Sequence, residues 1–170
     1  TIIVVASDSV GNKRTETRTV FRDSYPPVIT VSQPAGGLIT KDTVIAVAAT
    51  VTDSSSTTVR ANAVPLVRDS AGVFRGQVLL VEGSNTITIV ATDTVGNNAT
   101  QSLSVRRDTK PPTLTIAQPV DSMMTGLSSI AVQGTVADST AVTLKVNGLT
   151  VSVSPDGSWT TDVSLIEGFN

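Results

Sequence analysis

The sequence predicts an all-β fold made of tandem β-sandwich modules, each of about 85 residues with about seven short strands. Three observations support this prediction. The chain repeats itself at a fixed offset, its apolar residues alternate with polar ones, and turn motifs separate the alternating segments. Threonine, valine, serine and alanine are abundant, a composition that favours strands over helices.

The repeat becomes visible when the chain is aligned with itself at an offset of 85 residues, which places Thr1 on Thr86. No gap is needed from end to end. Such a repeat means that one small unit is used serially, so a residue found in one copy alone is not expected to carry the function. The matched motifs are Ala6-x-Asp8-x-Val10-Gly11-Asn12 on Ala91-x-Asp93-x-Val95-Gly96-Asn97, Pro26-Pro27 on Pro111-Pro112, Gln33-Pro34 on Gln118-Pro119, and Glu82-Gly83-x-Asn85 on Glu167-Gly168-x-Asn170.

Alternation of β-branched residues with a period of two predicts half-buried strands in both copies. The turns between them have their own signatures, because Gly accepts positive φ and Asn or Asp bonds to nearby backbone. The strands centre on residues 29–31, 44–51, 59–61, 74–80, 87–91 and 103–105 and on their counterparts, and the clearest turns are Asn147-Gly148, Pro155-Asp156-Gly157 and residues 93–97.

The double prolines mark the module boundaries, because proline cannot donate to a central strand ladder. Residues 26–110 are predicted to form a complete module. Residues 1–25 are then the last two strands of a preceding or neighbour-completed module, and residues 111–170 are the first strands of a following one. Since the sequence begins at Thr1, we interpret it as a piece of a longer polypeptide.

Two assemblies fit this division. The chain is either a segment of a long tandem array, or a subunit that polymerises head-to-tail when strands 1–25 of one copy complete residues 111–170 of the next. Both interpretations make adjacent copies of the same repeat the expected partners.

Composition argues against several other classes of function. The chain has no His and no Cys, so histidine-based nucleophile systems, thiolate zinc sites and disulfides are excluded. Its 12 basic and 14 acidic residues leave a net charge of -2, and no basic cluster predicts nucleic-acid binding. No apolar run is long enough to predict a membrane span. We therefore expect no enzyme.

The run from Glu82 to Pro119 resembles the bacterial immunoglobulin-like repeat modules of surface adhesins and filament proteins. It contains Glu-Gly-x-Asn, Thr-Ile-x-x-x-Ala-x-Asp-x-x-Gly-Asn, and Asp-x-x-Pro-Pro followed by a further proline. Similar modules are appended to some secreted glucan-degrading enzymes. The resemblance implies an immunoglobulin-like sandwich and an extracellular or cell-surface location, with a role as a spacer, stalk or accessory domain.

Without His and Cys, the side chains that could bind a metal are those with oxygen atoms. Calcium is the ion that such ligands suit, and no other cofactor is expected. At each candidate position, the alternative interpretation is that the side chain stabilises a turn or a joint between modules. Linker or structural roles are predicted for Pro26, Pro27, Pro111, Pro112, Asn85 and Asn170. The candidate calcium ligands are Asp8, Asn12, Asp23, Asp53, Asp93, Asn97, Asp108 and Asp138.

The leading functional hypothesis is a non-catalytic structural repeat of an extracellular bacterial fibre, stalk or adhesin. The alternative is a glycan-binding or accessory spacer module of a secreted carbohydrate-active enzyme. A glycan ligand has little support, because Phe74 and Trp159 occupy the same inward-facing position of the two copies and are expected in the core. Tyr25, in the linker, is the aromatic residue expected to be exposed.

Overall fold

The structure, a computed structural model, describes residues 1–170 and consists of strands, turns and loops without a helix. No segment forms a helix that could span a membrane. The chain divides into two compact units, residues 1–107 and residues 108–170. The strands of the first unit are β1 (Ile2–Ser7), β2 (Lys13–Arg18), β3 (Val28–Gln33), β4 (Leu38–Thr40), β5 (Val44–Thr52), β6 (Thr57–Ala61), β7 (Val64–Pro65), β8 (Val67–Arg68), β9 (Val73–Leu79), β10 (Gly83–Asp93) and β11 (Asn98–Arg107).

Strands β3 to β11 form a two-sheet sandwich, here called module 1. One sheet has the order β3-β5-β9-β8, and the other has the order β4-β11-β10-β6-β7. All neighbours are antiparallel except β4 and β11, which pair in parallel. Strands β7 and β8 have two residues each and lie in different sheets, so the chain crosses between the sheets at Leu66.

The core of module 1 lies between these sheets and is formed by the residues that the alternation assigned to inward faces. Ile87, Ile89, Ala91 and Val105 are fully buried. Phe74 is also buried, as its pattern predicted. Together these apolar side chains provide the burial that stabilises a module without disulfides.

The second unit, residues 108–170, is here called module 2. Its strands form a three-stranded sheet, β12-β13-β16, and a separate hairpin, β14-β15. Its small core contains Trp159 and Val136. The strands are β12 (Thr113–Gln118), β13 (Ser129–Ala137), β14 (Leu144–Val146), β15 (Leu149–Val151) and β16 (Ser158–Ser164).

The two modules correspond strand by strand at the offset of the repeat, since β3, β5, β6, β7 and β9 match β12 to β16 in order. The Asn147-Gly148 turn joins β14 to β15 with φ values of 49° and 82°, the left-handed conformations of a tight hairpin. A Gln-Pro peptide bond is cis in both modules, at Pro34 and at Pro119. The prediction of an all-β, immunoglobulin-like sandwich is therefore confirmed.

Strands β1 and β2 form a two-stranded hairpin that pairs with no other strand. Every residue of both strands is exposed. The boundary drawn between the two units, after Arg107, lies close to the predicted boundary after residue 110. The finer division into 1–25, 26–110 and 111–170 stays a prediction.

Candidate functional site

Three carboxylates converge at one end of module 1. Asp23 lies in the segment between the β1–β2 hairpin and β3, Asp53 follows β5, and Asp93 ends β10. One oxygen atom from each residue lies within 4.8 Å of the other two. Strand ends from both sheets meet here, which is why residues distant in sequence form one acidic cluster. We call these three residues the Asp cluster.

Asp93 is the buried member of the cluster, with 6% of its surface exposed. Its Oδ1 accepts hydrogen bonds from the backbone N–H groups of Val95 and Asn97, and its Oδ2 accepts one from the Asn97 side chain at 2.7 Å. Burial raises the pKa of Asp93, but these hydrogen bonds together outweigh it and hold the pKa below its ordinary value. The carboxylate is therefore ionised at neutral pH.

Asp23 and Asp53 are bound mainly by serine residues of the loop after β5. The Ser54 hydroxyl donates to Oδ2 of Asp23 at 2.7 Å. The backbone N–H of Ser55 donates to Oδ1 of Asp53 at 2.7 Å, and its hydroxyl donates to the same atom at 2.9 Å. The Asp23–Ser54 bond attaches the linker to the module that follows it.

Module 2 has the same attachment at the corresponding positions. The Ser139 hydroxyl donates to Asp108, and the backbone N–H and hydroxyl of Thr140 donate to Oδ1 of Asp138, each at 2.7 Å. A linker aspartate and a loop serine therefore join each Pro-Pro linker to its own module. Prediction from the sequence missed the two serines, although Ser54 and Ser139 coincide in the repeat alignment.

The eight candidate calcium ligands do not form one site. Asp8 and Asn12 bond to each other within the β1–β2 turn, where Asn12 donors lower the pKa of the Asp8 carboxyl. Asn97 contacts Asp93, whereas Asp108 and Asp138 belong to the second unit. Three of the eight form the Asp cluster.

The two asparagines predicted to be structural make the same hydrogen bonds in both copies of the repeat. Asn85 accepts a hydrogen bond from the backbone N–H of Val81 and donates to the carbonyl oxygens of Val81 and Gly83. Asn170 makes the same bonds at Ile166 and Gly168. Among the four linker prolines, Pro27 is buried, whereas Pro26, Pro111 and Pro112 are exposed.

The chemistry of the Asp cluster suits cation binding better than proton transfer. Its ligands are hard oxygens, which calcium prefers, and the lowered pKa keeps Asp93 from acting as a proton donor at neutral pH. Asp23 accepts a hydrogen bond at each carboxylate oxygen, from the Tyr25 backbone N–H and from the Ser54 hydroxyl, whereas both hydrogen bonds to Asp53 go to Oδ1. Calcium binding stays a prediction.

Two segments of the chain, residues 27–109 and 112–170, each match the family described as "Glucodextranase, domain B". The chain belongs to this family. The glucodextranase domain B family is a non-catalytic, immunoglobulin-like accessory module, so the predicted resemblance to immunoglobulin-like repeat modules is confirmed. Each match begins at the second proline of a Pro-Pro pair.

The match to a curated protein covers part of the chain. Bacillopeptidase F of Bacillus subtilis (strain 168) is 33% identical over 100 residues, which are 58% of this chain and 7% of that protein. The chain thus spans a small fraction of this relative's length. Its likeness concerns a module and not the whole protein.

Solved structures with a similar arrangement include three proteins of low sequence identity. Fibronectin(III)-like modules of Clostridium thermocellum CbhA align with a TM-score of 0.46 at 16% identity, over 83% of this chain and 80% of theirs. A 1.5-MDa bacterial ice-binding adhesin gives 0.37 at 18% identity, over 94% and 61%. Bacteroides ovatus SGBP-B, in complex with a mixed-linkage heptasaccharide, gives 0.33 at 13% identity, over 88% and 42%.

A test of calcium binding follows from the Asp cluster. A bound divalent cation would offset the repulsion among three carboxylates, so we expect added Ca²⁺ to raise the thermal midpoint of module 1, and EDTA to reverse the rise. The measurement is differential scanning calorimetry of the 170-residue chain with and without each reagent. Asp53→Asn should abolish the response.

The matched control is Asp138→Asn, at the position in module 2 that corresponds to Asp53. Asp138 is not part of a three-carboxylate cluster, so this variant should keep the calcium response of module 1. An identical midpoint with Ca²⁺ and with EDTA would contradict calcium binding. Asp23, Asp53 and Asp93 would then be structural residues only.

Proposed function

We propose that the chain is a non-catalytic structural repeat of an extracellular bacterial fibre, stalk or adhesin, in which modules act as spacers. The observation that supports this most directly is the repeated attachment of linker to module. Asp23 accepts a hydrogen bond from Ser54, and Asp108 accepts one from Ser139. A repeat whose function is geometric needs such a joint in every copy, whereas a binding or catalytic domain does not.

The sequence of each linker contributes to the same function. Its two prolines fix φ near -65° and reduce the conformations open to the segment. The hydrogen bond from the loop serine then limits rotation of the linker about its module. A short linker that is restrained by its prolines and by the serine hydrogen bond restricts the orientation of successive modules. The number of repeats then sets the length of the fibre.

The distribution of aromatic side chains favours a spacer over a glycan-binding module. Phe74 and Trp159, at corresponding positions, are 6% and 5% exposed and lie in the two cores. Tyr25 is 80% exposed, as predicted, and Phe21 lies near it in sequence and is exposed too. Sugar binding needs aromatic faces in a concave groove. Tyr25 and Phe21 precede β3, whereas the third exposed aromatic residue, Phe169, follows β16, so the exposed rings are far apart in the sequence.

An experiment on the joint tests the proposal. The chain has no cysteine, so spin labels attach only at introduced ones, and exposed Ser70 and Thr150 provide one position in each module. We expect electron–electron double resonance of the Ser70→Cys, Thr150→Cys chain to give a narrow distance distribution. Asp108→Ala should broaden it, because the linker loses its bond to Ser139.

The control for this experiment is Asp121→Ala, which removes an exposed carboxylate from another loop of the same unit. It should leave the distance distribution narrow. A broad distribution in the unmodified chain would contradict the spacer proposal, because a freely jointed pair of modules cannot hold a fixed reach.

A further inference from the structure

Three of the 12 basic residues of the chain lie within residues 106–110, where the first unit ends and the second begins. Arg106 and Arg107 end β11, and Lys110 directly precedes Pro111. Proteases of the trypsin type cut after Arg and Lys, and exposed connecting segments are the preferred sites of such cuts. Each of the three peptide bonds after these residues is protected by its surroundings. We call residues 106–112 the basic joint.

The backbone of Arg106 and Arg107 is paired with a neighbouring strand on both sides. β10 lies on one side and β4 on the other, where the three residues of β4 lie opposite residues 105–107. The partners are Ser84 and Ile39 for Arg106, and Gly83 and Thr40 for Arg107. A protease binds its substrate as an extended strand through backbone hydrogen bonds, which requires a free strand edge. β4 therefore covers the edge of β11 at the two arginines.

The arginine side chains are also held against module 1. Arg107 has 21% of its side chain exposed, and its Nη1 atom lies 3.6 Å from Oε2 of Glu82. Its Nη2 atom donates a hydrogen bond to Oγ1 of Thr43 at 3.3 Å. Arg106 is half-buried, with a buried Nε atom. A half-exposed ion pair stabilises little by itself, so the paired backbone is the larger barrier to a protease.

Lys110 is exposed and lies outside every strand, so neither of these barriers applies to it. The residue that follows it is Pro111, whose ring takes the place of the N–H group at the bond to be cut. The same ring restricts the backbone conformation of Lys110. Trypsin-type proteases cut a bond to proline poorly, because the ring does not fit the leaving-group side of their active site. Pro111 therefore protects the one basic residue of the joint that no strand covers.

Asp108 holds the residues before this bond in a turn. One of its carboxylate oxygens, Oδ1, accepts a hydrogen bond from the backbone N–H of Lys110 at 3.2 Å. The other, Oδ2, accepts one from the Ser139 hydroxyl. Residues 108–110 thus form an Asx turn, whereas a protease needs the residues before the bond in an extended conformation. The turn adds a second barrier at Lys110.

The linker before module 1 has the same turn and the same proline. The backbone N–H of Tyr25 donates to Oδ1 of Asp23 at 3.3 Å, and Pro26 follows Tyr25 directly. Tyr25 is 80% exposed, and an aromatic side chain is what chymotrypsin-type proteases recognise. The residue type at this position differs between the linkers, Tyr in one and Lys in the other. In both, the exposed side chain that a protease could bind precedes a proline.

We propose that the basic joint resists trypsin-type proteases, because β4 covers Arg106 and Arg107 and because Pro111 follows Lys110. The proposal rests on the extracellular spacer function proposed above. A spacer outside the cell meets secreted proteases, and one cut at a joint separates every module beyond it. Cutting within a strand requires local opening first, so its rate follows the small population of the open form.

The test is limited digestion of the 170-residue chain with trypsin, with mass spectrometry of the fragments at successive times. We expect no early fragment that ends at Arg106, Arg107 or Lys110. Lys13 and Arg14 lie in the exposed strand β2, and early cuts there show that the trypsin is active.

Two matched proline variants test the protection of Lys110. Pro111→Ala should allow cleavage after Lys110 at a rate at least several-fold above that of the unmodified chain. Pro112→Ala changes the next residue, which is also exposed, but keeps Pro111 and should be cut no faster. Adding Asp108→Ala to Pro111→Ala releases the turn and should speed cleavage further.

A second pair of variants tests the cover provided by β4. Ile39→Pro removes the N–H group of the middle residue of β4 and should allow cleavage after Arg106 or Arg107. Ile39→Ala keeps that N–H group and should not. The Ile39 side chain is 53% exposed, so both substitutions leave the core unchanged. NMR signals of module 1 check that each variant is folded.

Early cleavage after Arg106, Arg107 or Lys110 in the unmodified chain would overturn the proposal. Equal cleavage of the two proline variants, or of the two Ile39 variants, would overturn it as well. The spin-label distances are measured without a protease and are independent of these results. A joint that is cut early in a chain with a narrow distance distribution would end the proposal of protease resistance and leave the spacer proposal in place.

Discussion

Replacing Ile89 by alanine is expected to destabilise module 1 by about 2–5 kcal/mol, the range for truncating a fully buried isoleucine. Ile89 is 0% exposed and lies in the middle of β10, between β6 and β11. Truncation leaves a cavity in the core where neighbouring side chains from both sheets already fit closely. Urea unfolding followed by NMR signals of module 1 measures the change in free energy.

The matched control is Val4→Ala, at the position of β1 that corresponds to Ile89. Val4 is 59% exposed, so in dilute solution its truncation should change the stability of module 1 by less than about 0.5 kcal/mol. The two substitutions are made at equivalent positions of the repeat and differ in burial. Equal effects would contradict the placement of β1 outside the core of module 1.

Replacing Gly134 by alanine is expected to destabilise module 2 by about 3 kcal/mol or more, since overpacking against backbone cannot be relieved by a rotamer change. A Cβ atom at Gly134 would overlap the carbonyl oxygen of Thr115 and lie 2.9 Å from the Cζ2 atom of Trp159. Gly134 pairs directly with Trp159 across β13 and β16. Trp159 is the only tryptophan, so its fluorescence during urea unfolding reports the stability of module 2.

A second substitution makes this prediction specific. Module 1 has Ala49 and Phe74 at the positions of Gly134 and Trp159, and Ala49 is fully buried there. The double variant Gly134→Ala, Trp159→Phe should therefore recover part of the lost stability, measured by NMR. Gly126→Ala, where a Cβ would meet nothing within 4 Å, should change stability by less than about 0.5 kcal/mol.

The strands and turns could be predicted from the sequence because they depend on local patterns. Alternation at Ile45, Val47 and Ala49 predicted β5, and Asn147-Gly148 predicted the β14–β15 hairpin. The two-residue strands β7 and β8 were not predicted, since two residues are too few for alternation to be seen. The fold class therefore followed from periodicity, whereas the crossing between sheets at Leu66 did not.

The candidate site was harder to predict from the sequence than the strands were. Asp23, Asp53 and Asp93 were all named as oxygen ligands, but their convergence depends on which strand ends meet at one end of the sandwich. Asp8 matches Asp93 in the repeat and makes the same bonds to its Asn, yet it lies in an exposed turn. The local motif therefore predicts the Asp–Asn turn but not which other carboxylates lie beside it.

The parallel pairing of β4 with β11 bears on how module 1 would respond to tension. A pull applied at Pro27 and at Arg107 acts along β3 and β11, the strands that enter and leave the sandwich. Force along a strand loads the hydrogen bonds beside it in shear, so they break together and not one after another. Because no disulfide limits extension, a module that yields would release its whole length and could refold when the load falls.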